Sequence, residues 1–163
     1  MINKNVAKLI NEQINKEMYS AYLYLDFANY FEDENLDGFA SWYMVQAQEE
    51  MEHALKFRKY LYDNDESVTL TEIAKPNKKL TSPKAVLEEG YKHEMYVSGL
   101  INNIYAEALK AKEFKTMNFL NWYVNEQVEE EKNAKDLIRK FEIFAGDKKG
   151  LYNLNNELKA RQK

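Results

Sequence analysis

The sequence predicts an all-α protein, a four-helix bundle with one long crossover connection and a short fifth helix at its C-terminal end. Glycine and proline are scarce, at 5 and 2 of 163 residues, and 31% of the residues are charged, a composition that favours long helices. Apolar residues recur at helical spacing through four long segments. That periodicity fails between residues 65 and 81, a stretch long enough to run the length of a bundle.

The first helix is predicted from about Asn5 to Phe31, and the second from about Leu36 to Asn64. The acidic turn at residues 32–35 is short, so the two helices should lie antiparallel. Each carries one apolar stripe, the pattern of a helix that faces a core on one side. The stripe residues are Ile10, Ile14, Ala21, Tyr24, Ala28 and Phe31 in the first helix, and Phe39, Tyr43, Gln46, Phe57 and Tyr60 in the second.

The second pair of helices follows the crossover. Ser82 and Pro83 form a helix-start signal, because a capping hydroxyl precedes a proline at the first helical position. The third helix should run from there to about Lys112, and the fourth from about Phe114 to Phe144. Residues 150–163 should form the short fifth helix, whose apolar face carries Leu151, Leu154 and Leu158. We expect the whole chain to form one domain.

Composition narrows the class of function. The chain has no cysteine, so a metal could take only oxygen and imidazole ligands. Its net charge is −4 and it has no basic cluster, which argues against a nucleic-acid partner. No apolar run is long enough to span a bilayer, and the N-terminal residues lack a signal-peptide core. We therefore expect no membrane partner and a cytoplasmic location.

The sequence repeats itself at an offset of 77 positions, seen from 17 to 94 and from 50 to 127. Residues 17–19 and 94–96 are both Glu-Met-Tyr, and residues 49–53 correspond to residues 126–130. In each half an isolated glutamate precedes, by 33 positions, a polar pair spaced i, i+3. Such a pair lies on one face of a helix. The pattern indicates a metal site built from two similar halves.

Four glutamates fall on the stripes that otherwise bury apolar residues, one from each long helix. They are Glu17, Glu50, Glu94 and Glu130. Any one of them alone would be interpreted as a surface residue. A carboxylate taken out of water is costly unless a counter-charge compensates it, and no lysine or arginine lies on these stripes. Two divalent cations would neutralise four carboxylates, so four glutamates in register predict a di-metal site.

His53 follows Glu50 by three positions, so the two side chains can hold one ion together with Glu17. Glu50 is also placed to bridge to a second ion. That second ion would be completed by Glu94 and Glu130, with Gln127 as a weak ligand or hydrogen-bonding neighbour. Oxygen ligands with one imidazole suit Fe(II), Mn(II) or, less selectively, Zn(II). We expect iron, because two adjacent irons can deliver two electrons to O2 or peroxide.

Residues beside the stripes have two interpretations each. Three glutamates lie roughly 100° round their helices and form either a third metal position or a solvated acidic face; they are Glu49, Glu126 and Glu129. Tyr24, two turns beyond Glu17, is either a core aromatic residue or a hydrogen-bond and electron donor to the site. His93 points away from the stripe of Glu94, and we expect it at the surface.

Together these residues resemble the bacterial non-haem ferritins over essentially the whole chain. The resemblance implies a ferritin-like fold and a ferroxidase centre at Glu17, Glu50, His53, Glu94 and Glu130, with Gln127 alongside. It also implies a third iron site at Glu49, Glu126, Glu129 and Glu130, and a redox role for Tyr24. The implied function is oxidation of Fe(II) by O2 or H2O2 and storage of ferric oxide inside a shell of 24 subunits, with the fifth helix at the fourfold axes.

Two positions depart from related proteins. Bacterioferritins and many di-iron carboxylate proteins carry Glu-x-x-His in both halves, whereas position 130 here is glutamate. Met51 resembles the haem-ligating methionine of bacterioferritins, but methionine on a helix usually packs, so we expect no haem. Two alternatives stay open, a di-iron peroxidase or oxidase of the rubrerythrin type and a metal-free helical interaction protein. Against the first, the chain lacks the cysteines of a rubrerythrin electron-transfer domain.

The first helix carries more apolar surface than one core can use. Between Met18 and Phe31 several large residues lie off its stripe, namely Tyr19, Tyr22, Leu23 and Tyr30. Such a surface marks a protein contact, and a two-fold dimer through the first two helices would bury it. The leucines of the fifth helix should form a second contact patch. With the resemblance, this predicts a homo-24-mer that breaks down into dimers.

Overall fold

The computed structural model describes residues 1–162. It contains five helices, which are α1 (Lys4–Asp33), α2 (Asp37–Tyr62), α3 (Pro83–Lys110), α4 (Phe114–Phe144) and α5 (Lys148–Leu158), and no strand within the described residues. The predicted all-α bundle is confirmed. The fifth helix begins and ends earlier than expected, and Lys163 lies outside the described residues. None of the helices in residues 1–162 is long and apolar enough to cross a membrane.

The bundle is made of two helical hairpins, α1 with α2 and α3 with α4, which meet where α1 packs against α3 and where side chains of α2 pack against those of α4. Each hairpin turns at a residue in the left-handed region, Asn35 with φ 57° and Lys112 with φ 55°. The crossover between α2 and α3 has no regular secondary structure. It is held along α1, because Asn11 exchanges hydrogen bonds of 3.0 and 2.9 Å with the backbone of Thr69.

The fifth helix folds back on α2 and α4 of its own chain. The first turn of α2 has no capping side chain from its own sequence, and Asn155 of α5 supplies one. Its Oδ1 accepts hydrogen bonds from the N–H groups of Gly38 and Phe39 at 2.7 and 3.3 Å. A Cβ on Gly38 would lie 1.7 Å from the Asn155 carbonyl oxygen, so only glycine permits this approach.

The expected contact patch on the fifth helix is wrong in part. Leu154 and Leu158 are only 3% and 7% exposed, because α5 packs them into the core of the same chain. Leu23, expected on the outer face of α1, is fully buried in that core too. Periodicity finds an apolar face, but it does not say whether the same chain or another one covers it.

The apolar core has two parts, and the buried polar residues lie between them. One part includes Ile10, Ile14, Phe57, Ile101 and Leu120. The other includes Phe27, Phe31, Phe39, Tyr43 and Leu87. Along all four long helices, the sequence between these two sets carries the buried carboxyl, amide and imidazole groups. The fold therefore encloses a polar layer in the middle of the bundle.

Candidate metal centre

Four helices bring one glutamate each into the polar layer. Glu17, Glu50, Glu94 and Glu130 are between 1% and 4% exposed. Donor atoms of Glu17, Glu50 and His53 lie within 4.8 Å of one another, and so do those of Glu50, Glu94 and Glu130. The two groups share Glu50. The geometry therefore offers two adjacent cation positions with one carboxylate common to both.

Neutral side chains orient three of these four glutamates. The donors are Gln13 to Glu17 (2.9 Å), Tyr24 to Glu94, Gln46 to Glu130 (2.5 Å) and Gln127 to Glu94 (3.2 Å). Amide and phenol groups fix the direction of a carboxylate without neutralising its charge. Among residues 1–162, no lysine or arginine forms an ion pair with any of the four.

Burial makes these carboxylates difficult to ionise. Desolvation raises the pKa of Glu17 to about 7. Desolvation, with the charge of Glu94 added, raises the pKa of Glu130 to about 8. Burial and the charges of the neighbouring glutamates also raise the pKa of Glu50 well above its usual range, and burial raises that of Glu94. At neutral pH these groups need either protons or bound cations.

Glu17 gives the clearest sign that a cation fits. Its Oε2 is buried and accepts no hydrogen bond from the protein, while the Glu50 carboxylate beside it is itself an acceptor unless protonated. His53, next in this group, has its pKa lowered to about 4 by burial and by the nearby charge of Lys56. Its imidazole is therefore neutral at physiological pH, the form that binds metals. An orphaned oxygen, a carboxylate and a neutral imidazole suit a divalent transition metal.

The three glutamates expected beside this pair are placed differently from one another. Glu126 is partly exposed, and its carboxylate reaches to 3.8 Å from His53 Nε2. Donor atoms of Glu126, His53 and Glu130 lie within 4.8 Å of one another. Glu49 instead forms an ion pair of 2.8 Å with Arg161, and Glu129 is exposed. We call Glu49, Glu126 and Glu129 the outer glutamates.

Comparison with known proteins identifies the family. A ferritin-like domain family model matches residues 7–144. A bacterial non-heme ferritin of Campylobacter jejuni is 40% identical over 152 residues, covering 93% of this chain and 91% of the relative. One from Staphylococcus saprophyticus is 35% identical and covers 99% of this chain and 96% of the relative. This chain is a ferritin.

Solved ferritins agree with that assignment. The open-pore ferritin of the hyperthermophilic archaeon Archaeoglobus fulgidus superimposes with a TM-score of 0.96 at 41% identity, over 99% of this chain and all of the archaeal one. The resemblance drawn from the repeated glutamates is therefore confirmed. Membership of this family supports iron storage, and the buried carboxylate and histidine groups could hold a di-iron site.

Tyr24 lies inside the core and also contacts the polar layer of this ferritin. Its side chain is 1% exposed, and its hydroxyl donates a hydrogen bond to Glu94 Oε1. Both interpretations of this residue, core aromatic and hydrogen-bond donor, therefore describe the structure. A redox role stays a prediction.

The expectation for His93 is wrong. His93 is 7% exposed, and its Nε2 lies 2.7 Å from the Ser20 hydroxyl of α1. Its ring also packs edge-on against Tyr24. The small Ser20 side chain leaves room for the imidazole where α1 meets α3, and it supplies a hydrogen-bond partner. The spacing of His93 within its own helix carries no information about this neighbour.

Sequence reasoning missed two glutamines that support the ferritin site. Gln13 precedes Glu17 by four positions, a spacing that places an amide beside a carboxylate on the same helix face, so a local signal was present. Gln46 lies on a predicted stripe, but it donates to Glu130 of α4 rather than to a residue of its own helix. Arg161 lies beyond the last helix, where no periodicity indicates a role.

Proposed function

We propose that this ferritin oxidises Fe(II) with O2 or H2O2 at the buried carboxylates and stores the ferric product as an oxide mineral. The observation that carries the proposal is a set of four buried glutamates, of which Glu50 belongs to both donor groups, with no lysine or arginine paired to them in the described chain. Two Fe(II) ions would supply four positive charges to four carboxylates. Family membership supports storage, and the donor groups support the oxidation site.

Each group in the proposed centre has a role. One Fe(II) would be held by Glu17, Glu50 and His53, and the other by Glu50, Glu94 and Glu130. Gln127 donates to Glu94 Oε2 at 3.2 Å, so we assign it to orienting that ligand. Carboxyl groups with raised pKa must release protons when Fe(II) binds at neutral pH. Two adjacent Fe(II) ions then supply the two electrons that, with two protons, reduce O2 to H2O2.

We propose a third iron position at the outer glutamates. The grouping of Glu126 with His53 and Glu130 supports it, and the charges of Glu129 and Glu49 add to desolvation in raising the pKa of Glu126. A cation placed there would relieve the repulsion among these carboxylates. Glu49 is the most constrained of them, because Arg161 already holds it.

We further propose that a second copy of the chain covers an apolar groove between α1 and α2. The groove has a volume of about 410 Å³ and includes Met18, Tyr22, Leu25, Met44 and Met51. The last four of these side chains are between 38% and 48% exposed, an unusual density of apolar residues for a monomer surface. A two-fold dimer buries the groove on both copies. We propose that these dimers assemble into a shell of 24 subunits in the cytoplasm. We also propose that the protein binds no haem.

An iron titration tests the function. Metal-free protein is loaded with successive additions of Fe(II) in air, and the iron retained per chain is measured after removal of unbound metal. Storage predicts many irons per chain, a di-iron peroxidase or oxidase predicts two, and a metal-free interaction protein predicts none. Native mass measurement of the same sample should give a particle of about 24 subunits; a stable monomer would contradict both the groove contact and storage.

A further inference from the structure

The guanidinium of Arg161 is held at three places beside the metal centre. It donates to the Trp42 carbonyl oxygen at 3.1 Å, to Gln46 Oε1 at 2.9 Å and to Glu49 Oε2 at 2.8 Å. Its face also stacks on the Trp42 ring, 4.1 Å from the ring centroid. Side chains in this ion pair are only 19% and 25% exposed. A contact so constrained differs from an ordinary surface ion pair, which two mobile side chains form in water.

Gln46 connects Arg161 to the buried glutamates of the metal centre. Gln46 accepts from Arg161 through Oε1 and donates through Nε2 to Glu130 Oε2. One planar amide therefore links the cation at the C-terminal end of the chain to a proposed iron ligand. Since Glu130 also belongs to the group formed with His53 and Glu126, the guanidinium lies at the edge of the proposed third iron position.

We infer that Arg161 acts as a built-in cation that competes with metal for Glu49. The inference rests on the proposed function, because it concerns the third of the proposed iron positions. Arg161 holds Glu49 Oε2 at 2.8 Å, so a metal ion that used this oxygen would have to displace the guanidinium, and one that used the other oxygen would be repelled by it. Arg161 therefore lowers the metal affinity of the third position relative to the two positions that share Glu50, which we call the inner positions. Metal fills the inner positions first.

Competition has a reciprocal consequence. If the guanidinium lowers the affinity of the third position for metal, metal bound there must weaken the attachment of Arg161 by the same factor. The segment after α5 should then loosen when the third position fills, and should remain attached while only the inner two positions are filled. A purely structural role for Arg161 predicts no such dependence on metal.

Zinc binding to the metal-free, full-length protein tests the competition without any oxidation. Calorimetric titration with Zn(II) is compared among wild type, Arg161→Gln, Arg161→Lys and Lys159→Gln. Lys159 is the matched control, because it pairs with Asp37 at 3.0 Å on the same terminal segment but contacts none of the proposed ligands. Because Arg161→Gln removes a charge-assisted contact to Glu49, its affinity for the third Zn(II) should be about tenfold higher than that of wild type. Arg161→Lys, which keeps the charge but not the fork of donors or the stacking on Trp42, should lie between wild type and Arg161→Gln.

Hydrogen exchange gives the reciprocal measurement. Backbone exchange of residues 159–162 should accelerate in wild type between two and three equivalents of Zn(II), and should be fast without metal in Arg161→Gln. The inference would be overturned if Arg161→Gln bound the third Zn(II) with wild-type affinity, or if Lys159→Gln showed the same increase in that affinity. Neither result would count against the two inner sites. Failure of all four proteins to bind any Zn(II) would instead count against the proposed function.

Discussion

Two of the four inner glutamates, Glu50 and Glu130, lie within four positions of outer glutamates on the same helices, but the inner and outer sets have different surroundings. Glu17, Glu50, Glu94 and Glu130 are almost fully buried, and only neutral donors or other acids surround them. Among the outer glutamates, Glu129 is exposed to solvent and Glu126 is partly exposed. Glu49 is paired with the guanidinium of Arg161. Burial in the bundle and the position of Arg161 thus separate carboxylates that only neutral groups and other acids surround from carboxylates that solvent or a guanidinium can reach.

The largest effect is expected from the inner set. Glu50→Ala should slow Fe(II) oxidation on the order of 100-fold or more, because both cation positions share this carboxylate and a lost ligand costs several kcal/mol. His53→Ala should also slow Fe(II) oxidation. Stopped-flow absorbance of the ferric product measures the rate, with exposed Glu52→Ala as the control. Near-normal initial rates in Glu50→Ala would mean that the inner carboxylates are not the oxidation site.

The next largest difference between the inner and outer glutamates should appear in the pH dependence of the stability of the metal-free protein. A carboxyl whose pKa rises from 4.5 when unfolded to about 7 (Glu17) or about 8 (Glu130) binds more protons in the native state. Its stabilising contribution is present below pH 4.5 and is lost as the pH rises through the native pKa. His53 and His93, with pKa values lowered to about 4, act in the opposite direction below pH 6.5. The window from pH 6.5 to 8 therefore isolates the glutamates.

Across that window, metal-free wild type should lose about 2 kcal/mol of stability. Thermal unfolding at fixed protein concentration measures the trend, and Glu17→Gln should remove most of it, because the amide does not titrate and the native pKa of Glu17, about 7, lies inside the window. Glu129→Gln, an exposed member of the outer set, should keep the wild-type slope. Stability that rises between pH 6.5 and 8 would mean that the inner carboxyls are ionised in the metal-free protein.

A smaller effect is expected from removing outer carboxylates. Glu126→Ala and Glu129→Ala should each leave the first two irons per chain oxidised quickly, since neither residue belongs to the two groups that share Glu50. The later turnover should slow, or the iron-to-oxygen stoichiometry should change. Rapid-mixing kinetics at two and at three irons per chain separate these phases. If either variant abolishes the first fast phase, the distinction between inner and outer sets fails.

The smallest effect is expected at Tyr24. Tyr24→Phe keeps the ring in the core but removes the hydroxyl that donates to Glu94. Gln127 still donates to the other oxygen of Glu94, so the ligand should remain oriented, and initial oxidation should slow by less than about tenfold. A loss as large as that of Glu50→Ala would assign Tyr24 a role in electron transfer rather than orientation.

How much the sequence could predict depends on whether the signal was local. The cap at Ser82 and the stripe positions are signals within one helix, and the repeat at offset 77 is visible when the sequence is compared with itself; together they located the bundle and its polar layer. The neighbours of His93 and Leu154 could not be predicted in this way. Their burial depends on which helix packs beside them, and that information is spread over distant parts of the chain. Arg161 follows the last helix, so only the folded chain reveals its contacts.

The cap that Asn155 places on α2 joins two segments that are separated by more than 100 residues and are therefore synthesised at different times. During synthesis α1 and α2 emerge long before residue 155, so the first turn of α2 lacks its acceptor, and the core covered by Leu154 and Leu158 is open to water. Chains halted before residue 147 should accordingly be cleaved by protease near Gly38 faster than complete chains. The first hairpin is therefore made early in synthesis, but the first turn of α2 is capped only after α5 has emerged.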